Sequence, residues 1–474
     1  MKRGAIIIGG GISGLMAAHE LMRAGVEVTV LERESAAGGT MRTVHDDGWL
    51  VEAGPNSALE TTPLFARAFD LLGIAEERLY ADPAADRRYI LRKGRLHPLP
   101  LSPGAFLGSS LWSTKGKLRL LKEPFIGRAD HEETIAQFVE RRLGREFLDY
   151  AINPFVAGVY AGDPTQLSVR AAFPKLYALE ERYGGLVRGM IGGARERRKR
   201  QEKAKDRAKM FSFRDGMETL PRALARALGP ALRLGCHVTS VGRPSAPGNG
   251  TGFEVQFAQE GSAQTLRSPC VVVATPAHVA GGLIRSLSGR IAGLLEGIYY
   301  PPVAEVFLGF RREEVSRPLD GFGFLVPEVE RRMILGTIWS SSLFPGRAPS
   351  NHVALTSFVG GSRQSALAAL GEGKLIELVM AELRSIMGIS RDPVYAKIMR
   401  WDRAIPQYNL GYLSLVEEIA QAEESNPGLY FCANFRGGIA VGDCLMSAEK
   451  IAGRIAGSMS TAPDPTTIMS KVQL

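Results

Sequence analysis

The sequence predicts an α/β fold: a Rossmann-like dinucleotide-binding domain, a second domain on a mixed sheet, and a helical insert between their parts. Three observations carry this prediction. The chain opens on a β-branched run at residues 5–8, then glycines spaced G-x-G-x-x-G, then a helical stretch at 15–24. A second apolar run, 26–32, ends in an acid eighteen residues past Gly14. Beyond the middle of the chain, residues 278–398 alternate short strands with one helix at "KLIELVMAELRSIMG", which suits a mixed sheet carrying a pocket wall.

Each element of the opening unit has a mechanical reason. Gly9 allows the tight turn, Gly11 lets backbone approach a pyrophosphate, and Gly14 lets the helix pack closely on the strand. Gly10, Ile12 and Ser13 complete the loop, whose helix N-terminus offers free N–H groups to an anion. Glu32, followed by Arg33, stands where a carboxylate takes ribose hydroxyls. Next, in "GGTMRT", Gly38 and Gly39 permit a second close approach and Arg42 offers a guanidinium to phosphate or to a surface acid. A nucleotide-free unit of the same shape is the alternative.

Composition bounds the rest. A chain of 474 residues is expected to hold two or three domains, and a net charge of +9 favours anionic partners; nucleic acid is not expected, because no motif supports it. Four scattered cysteines give neither a disulfide framework nor zinc-ligand spacing, which suits a reducing cytoplasm. The seven histidines show no ligand spacing, so no metal is expected. No run approaches the roughly twenty apolar residues of a membrane span; contact with a membrane would be peripheral.

After the insert the strand–turn–helix pattern returns in "FSFRDGMETLPRALARALG" (211–229), followed by an edge strand at 232–243 and further strands at 253–258 and 264–276. A last strand, turn and helix, "CANFRGGIAVGDC" (432–444) and the stretch 445–456, ends the patterned chain, with Asp443 read as a helix cap.

"GGTMRT" and "GWLVEAGPNS" (48–57) resemble the second glycine pair and following loop of the FAD-dependent amine oxidase superfamily, although Thr40 stands where that superfamily often has arginine. More specific stretches narrow the resemblance. "DRRYILRKGRLHPLP" (86–100), "NPFVAGVYAGDPTQLSVRAAFPKL" (153–176), "GFGFLVP" (321–327), "FVGGSR" (358–363) and "RWDRAIPQYNLGY" (400–412) together look like the protoporphyrinogen oxidase family.

That resemblance implies FAD and a six-electron oxidation of protoporphyrinogen IX by successive hydride transfers to flavin, with oxygen or a quinone-like acceptor reoxidising it. Implied cofactor contacts are Gly9–Gly14, Glu32, Arg33, Gly39, Thr40, Arg42, the loop Gly54, Pro55, Asn56 and Ser57, then Val238, Trp401, Ala433, Ile439, Ala440 and Val441. Implied substrate contacts are Arg88, binding a propionate with Arg87 as its rival, and Asn56, Gly158, Leu325, Ile338 and Phe358 around the macrocycle. Tyr408 closes the pocket or is core. No side chain is expected to be catalytic, the chemistry being the flavin's.

The same resemblance divides the chain. FAD-binding segments are 1–80, 211–277 and 399–457; substrate segments are 81–98, 186–210 with its basic linker, and 278–398; residues 458–474 form a tail. The helical insert, 99–185, becomes membrane-associating, where Leu107, Leu111, Trp112, Leu118, Leu120, Leu121 and Phe125 interleave with Lys115, Lys117, Arg119 and Lys122. The implied location is the cytoplasm at the inner membrane face, with a homodimer left open. Alternatives are oxidation of coproporphyrinogen III, a flavin amine oxidase or desaturase, and a flavin-binding protein without turnover.

Overall fold

A computed structural model of the chain describes residues 4–100, 102–189, 192, 208–244 and 252–461. Most of the basic run, residues 194–207, and the tail beyond 461 lie outside the described residues.

A five-stranded parallel sheet gathers distant segments in the order Leu232–Arg233, Glu27–Leu31, Gly4–Ile8, Cys270–Val273 and Leu429–Phe431. Its central strands are apolar throughout because both faces are covered. Ala5, Ile7, Val272 and Val30 face one core, shared with helices Ile12–Arg23, Thr219–Leu228 and Val441–Thr461. Ile6, Ile8, Val271 and Val273 face the other, against helices Ala277–Ile284 and Gly289–Glu296 and a three-stranded antiparallel sheet, Cys236–Gly242, Phe253–Gln259 and Ser262–Ser268.

A seven-stranded mixed sheet runs in the order Tyr395–Trp401, Val303–Arg311, His352–Gly360, Gly336–Ile338, Gly321–Leu325, Arg87–Arg92 and Arg95–Pro98. Its strands alternate, so one face buries Tyr89, Leu91, Ala304, Val306, Val353 and Leu355 against the amphipathic helix Glu372–Met387. On the opposite face Phe307 and Ala354 are buried against Trp49, while Leu325, Ile338 and Phe358 stay half-buried.

Three expectations need correction. The single edge strand at 232–243 is two: the chain turns at Gly235, leaving Leu232–Arg233 at the parallel edge and Cys236–Gly242 in the antiparallel sheet. Asp443 does not cap the last helix from outside. That helix begins at Val441, and from its first turn Asp443 accepts a hydrogen bond from the Ala440 N–H at 3.3 Å. In the insert, Leu111 and Trp112 are core, the indole stacked on Phe147 at 5.0 Å, and only part of the proposed apolar row reaches the surface.

The helical layer is locked by charge rather than by apolar packing alone. Arg142 is fully buried and pairs with Glu123 at 3.1 Å and Glu180 at 2.5 Å. Removing Arg142 leaves the buried Glu123 with no cation among the described residues and Glu180 with Arg141 alone. Arg142→Met is therefore expected to lower stability by about 3–5 kcal/mol, read as the shift in the chemical denaturation midpoint.

Candidate functional site

The opening loop is shaped to receive a ligand. A side chain at Gly14 would begin 2.0 Å from the Gly9 carbonyl oxygen, so helix and strand touch backbone to backbone. Gly11, by contrast, faces open space, and it bridges in parallel to Gly38. Beside Gly9 the buried Thr275 hydroxyl has no partner. Open space over free helical N–H groups, with an orphaned hydroxyl next to it, fits the pyrophosphate of a dinucleotide.

Around this cradle the predicted residues fall as follows. Ile12 and Ser13 form the first turn of helix Ile12–Arg23. The Glu32 carboxylate accepts from the Gly10 N–H at 2.5 Å and the Glu34 N–H at 2.8 Å, which aims it along the loop. Arg33 points outward into an exposed pair with Glu34, away from the cradle. The Arg42 guanidinium donates to the Gly39 carbonyl at 3.0 Å, and the Thr40 carbonyl lies against Gly54. Val238 follows the point where the Cys236 N–H bonds the Glu32 carbonyl at 2.8 Å.

Helices Ile12–Arg23 and Val441–Thr461 follow parallel strands and pack together, so both begin at the carboxyl edge of the sheet. Just before Val441 lies the turn carrying Ala433, Ile439 and Ala440. Its carbonyls are held by two stacked phenols, ring centroids 4.3 Å apart: Tyr408 donates to Asn434 at 2.5 Å and Tyr412 to Phe435. Burial pushes the Tyr408 phenol well above its ordinary pKa, so it stays a donor. Tyr408 is thus a strut beneath the turn. The loop of Gly54, Pro55, Asn56 and Ser57 is held from the other side, where the Trp401 indole donates to the Ala53 carbonyl at 2.6 Å.

The seven-stranded sheet supplies the second wall. Its register pairs Trp401 with Val303, Glu305 with Phe358, Phe358 with Gly336, and Gly336 with Leu325. Directly opposed residues share a face, so Trp401, Phe358, Ile338 and Leu325 look the same way. The last three are only half-buried. Gly158, in helix Asn153–Tyr160, approaches this face so closely that a Cβ there would lie 2.7 Å from Leu325 Cδ2. Arg88 pairs with Gly323 at the far end, exposed, its guanidinium 5.8 Å from the Phe322 ring centroid. Its rival Arg87 is engaged by Asp320 at 2.5 Å, whereas Arg88 has no acidic partner among the described residues.

Sequence reasoning missed two acids at the flank of this face. Glu305 is buried, with one carboxylate oxygen unpartnered, and desolvation raises its pKa to about 8 against the opposing pull of Asn56. Desolvation likewise raises Glu52 to about 7, with Thr43 donating at 2.7 Å and the Met217 N–H at 2.9 Å. Glu52 and Asn56 line one cleft with Phe307, Ile338 and Arg347. A signal was available: Glu305 is the only charged residue in "PPVAEVFLGF". The cysteines are not reactive groups, since burial pushes the Cys270 and Cys432 thiols up to about 12 and Cys444 to about 11.

Residues 12–456 match the flavin containing amine oxidoreductase family. A chloroplastic protoporphyrinogen oxidase of Nicotiana tabacum is 34% identical over 96% of this chain and 86% of its own length. Coproporphyrinogen III oxidase of Bacillus subtilis is 27% identical over 94% of this chain and 96% of its own. A crystal structure from Exiguobacterium superposes with a TM-score of 0.80 at 22% identity, covering 97% of this chain and 99% of that one; at such identity it speaks for the fold alone.

Because the glycine contact leaves no room for a methyl group, Gly14→Ala is expected to part helix from strand. The purified variant should carry little FAD, measured by the visible absorbance of flavin released on denaturation.

Proposed function

The chain belongs to the flavin containing amine oxidoreductase family, and on that premise we propose that it oxidises protoporphyrinogen IX to protoporphyrin IX. The observation that carries this reading is the half-open apolar face of Leu325, Ile338 and Phe358, ending at an exposed Arg88 with no acidic partner among the described residues. A large, poorly soluble macrocycle with carboxylate arms matches that face in both its apolar and its charged part.

The bound FAD supplies the hydride acceptor. The protein's task is placement. Leu325, Ile338 and Phe358 would flank the macrocycle, Gly158 would leave it room, and Arg88 would fork to a propionate. On the cofactor side, Gly9–Gly14 and Glu32 would hold the adenosine diphosphate half, with Val238 near its adenine end. The flavin half would lie between Asn56, Trp401 and the turn at Ile439, Ala440 and Val441. There the N-terminus of helix Val441–Thr461 favours negative charge. Thus the opening and closing glycine turns would serve one extended cofactor, and the segments assigned to it by sequence would form one domain interrupted twice. Oxygen or a quinone-like acceptor would take up the electrons and reoxidise the flavin.

A second reading, oxidation of coproporphyrinogen III, draws on the Bacillus relative. That substrate brings four propionates, and the engagement of Arg87 by Asp320 leaves fewer free cations at this end of the face. The pairing favours the protoporphyrinogen reading.

We further propose that the helical insert rests on the inner face of a membrane. Leu107, Leu118, Leu121 and Phe125 are exposed, Phe125 by 85%, with Lys115 and Lys122 exposed among them. Among the described residues no helix is long and apolar enough to cross a membrane. Apolar side chains beside lysines suit an anionic interface.

Three outcomes test these readings. Anaerobic addition of protoporphyrinogen should bleach the flavin absorbance, and an unbleached, flavin-loaded protein would refute oxidase activity. Arg88→Ala should raise KM about 10- to 100-fold with FAD retained; loss of FAD instead would remove Arg88 from the substrate side. Leu121→Glu with Phe125→Glu should weaken co-sedimentation with anionic vesicles while leaving turnover in detergent unchanged.

A further inference from the structure

Glu305 lies on the same sheet face as Phe358, Ile338 and Leu325, one strand beyond Phe358. Its strand neighbours there are Phe358 on one side and Met399 on the other. From the segment crossing the face come Asn56, its hydrogen-bonding neighbour, and Glu52, the titratable group that bears on it, with Arg347 3.9 Å beyond Glu52. An unpartnered carboxylate oxygen buried among apolar side chains is costly. Such a group needs a partner that arrives with the ligand.

We propose that Glu305 accepts the pyrrole N–H protons released as a porphyrinogen is oxidised, an inference that rests on the reading given above. The six-electron change takes one hydrogen from each of four bridging carbons and two from nitrogen, so the proton of one step comes from a bridging carbon. In the other two steps one C–H bond at a bridging carbon breaks, and its electron pair leaves with the hydride to the flavin. The ring nitrogen next to that carbon then gives up its proton. The N–H electron pair stays on the ring as the C=N bond forms, and the proton ends on the Glu305 carboxylate, which becomes the neutral acid. Asn56 and Glu52, the groups that bear on that acid, both line the neighbouring cleft. Burial lifts the carboxyl to about 8, so a minor ionised fraction serves as base near neutrality and grows as pH rises.

The test uses the FAD-loaded protein and its Glu305→Gln and Glu305→Asp variants, with kcat/KM for protoporphyrinogen followed between about pH 6 and pH 9. The wild type should climb with pH toward a plateau beyond about 8. The Gln variant should keep FAD and KM, lose about 100-fold in kcat and lose the climb, while the Asp variant should restore the climb at a lower rate. Melting temperature gives a readout independent of turnover. The folded state holds a proton that the unfolded chain releases above 4.5, so the wild type should lose stability relative to the Gln variant as pH rises from about 5 to 8. A Gln variant with wild-type rate and pH profile would overturn the inference while leaving the proposed oxidation standing. A wild type that turns over no porphyrinogen would overturn both.

Discussion

The strand Gly4–Ile8 pairs on one side with Glu27–Leu31 and on the other with Cys270–Val273, and the rest of the architecture follows from that second pairing. Two segments far apart in the chain must lie side by side, buried on both faces. Between Glu27–Leu31 and its return at Leu232–Arg233 the chain has to leave the parallel sheet and come back to it. The outgoing and incoming chain builds the helical layer and contributes Arg87–Arg92 to the other sheet. After Cys270–Val273 the chain leaves again, completes the seven-stranded sheet, and comes back as Leu429–Phe431. The glycine loop stays rigid because its strand is clamped from both sides.

The seven-stranded sheet divides labour between its faces. One is closed by a helix and stabilises the fold through dispersion and burial. The other keeps half-buried apolar residues, a buried acid and an exposed arginine, which is an unfavourable arrangement for stability alone. Only strict register keeps the two sets apart. A slip of one residue in Val303–Arg311 would exchange Glu305 for Val306 and put a carboxyl into the helix-packed core.

Much of this was legible in the chain. The glycine spacing with its acid foretold the shape of the opening loop, with Gly14 against the Gly9 carbonyl, open space at Gly11 and Glu32 bound to the Gly10 N–H. Resemblance supplied the residues of the apolar face, and the strand register then gathered them on one side. What was not legible depends on partners distant in sequence. Arg87 and Arg88 are alike until Asp320, 233 positions away, takes one of them. Glu305 was passed over because an acid in a strand is ordinarily solvated, and only packing shows that this one is not. Leu111 and Trp112 looked like the exposed leucines near them until the Phe147 ring met the indole.

Tyr408 joins parts that the chain itself keeps separate. Its phenol carries the Asn434 carbonyl in the closing turn, while its own carbonyl accepts from the Ser168 N–H of the helical layer at 2.8 Å. One residue therefore links the layer that carries the exposed leucines to the turn before helix Val441–Thr461. A displacement of the helices would reach that turn through two hydrogen bonds and an aromatic ring.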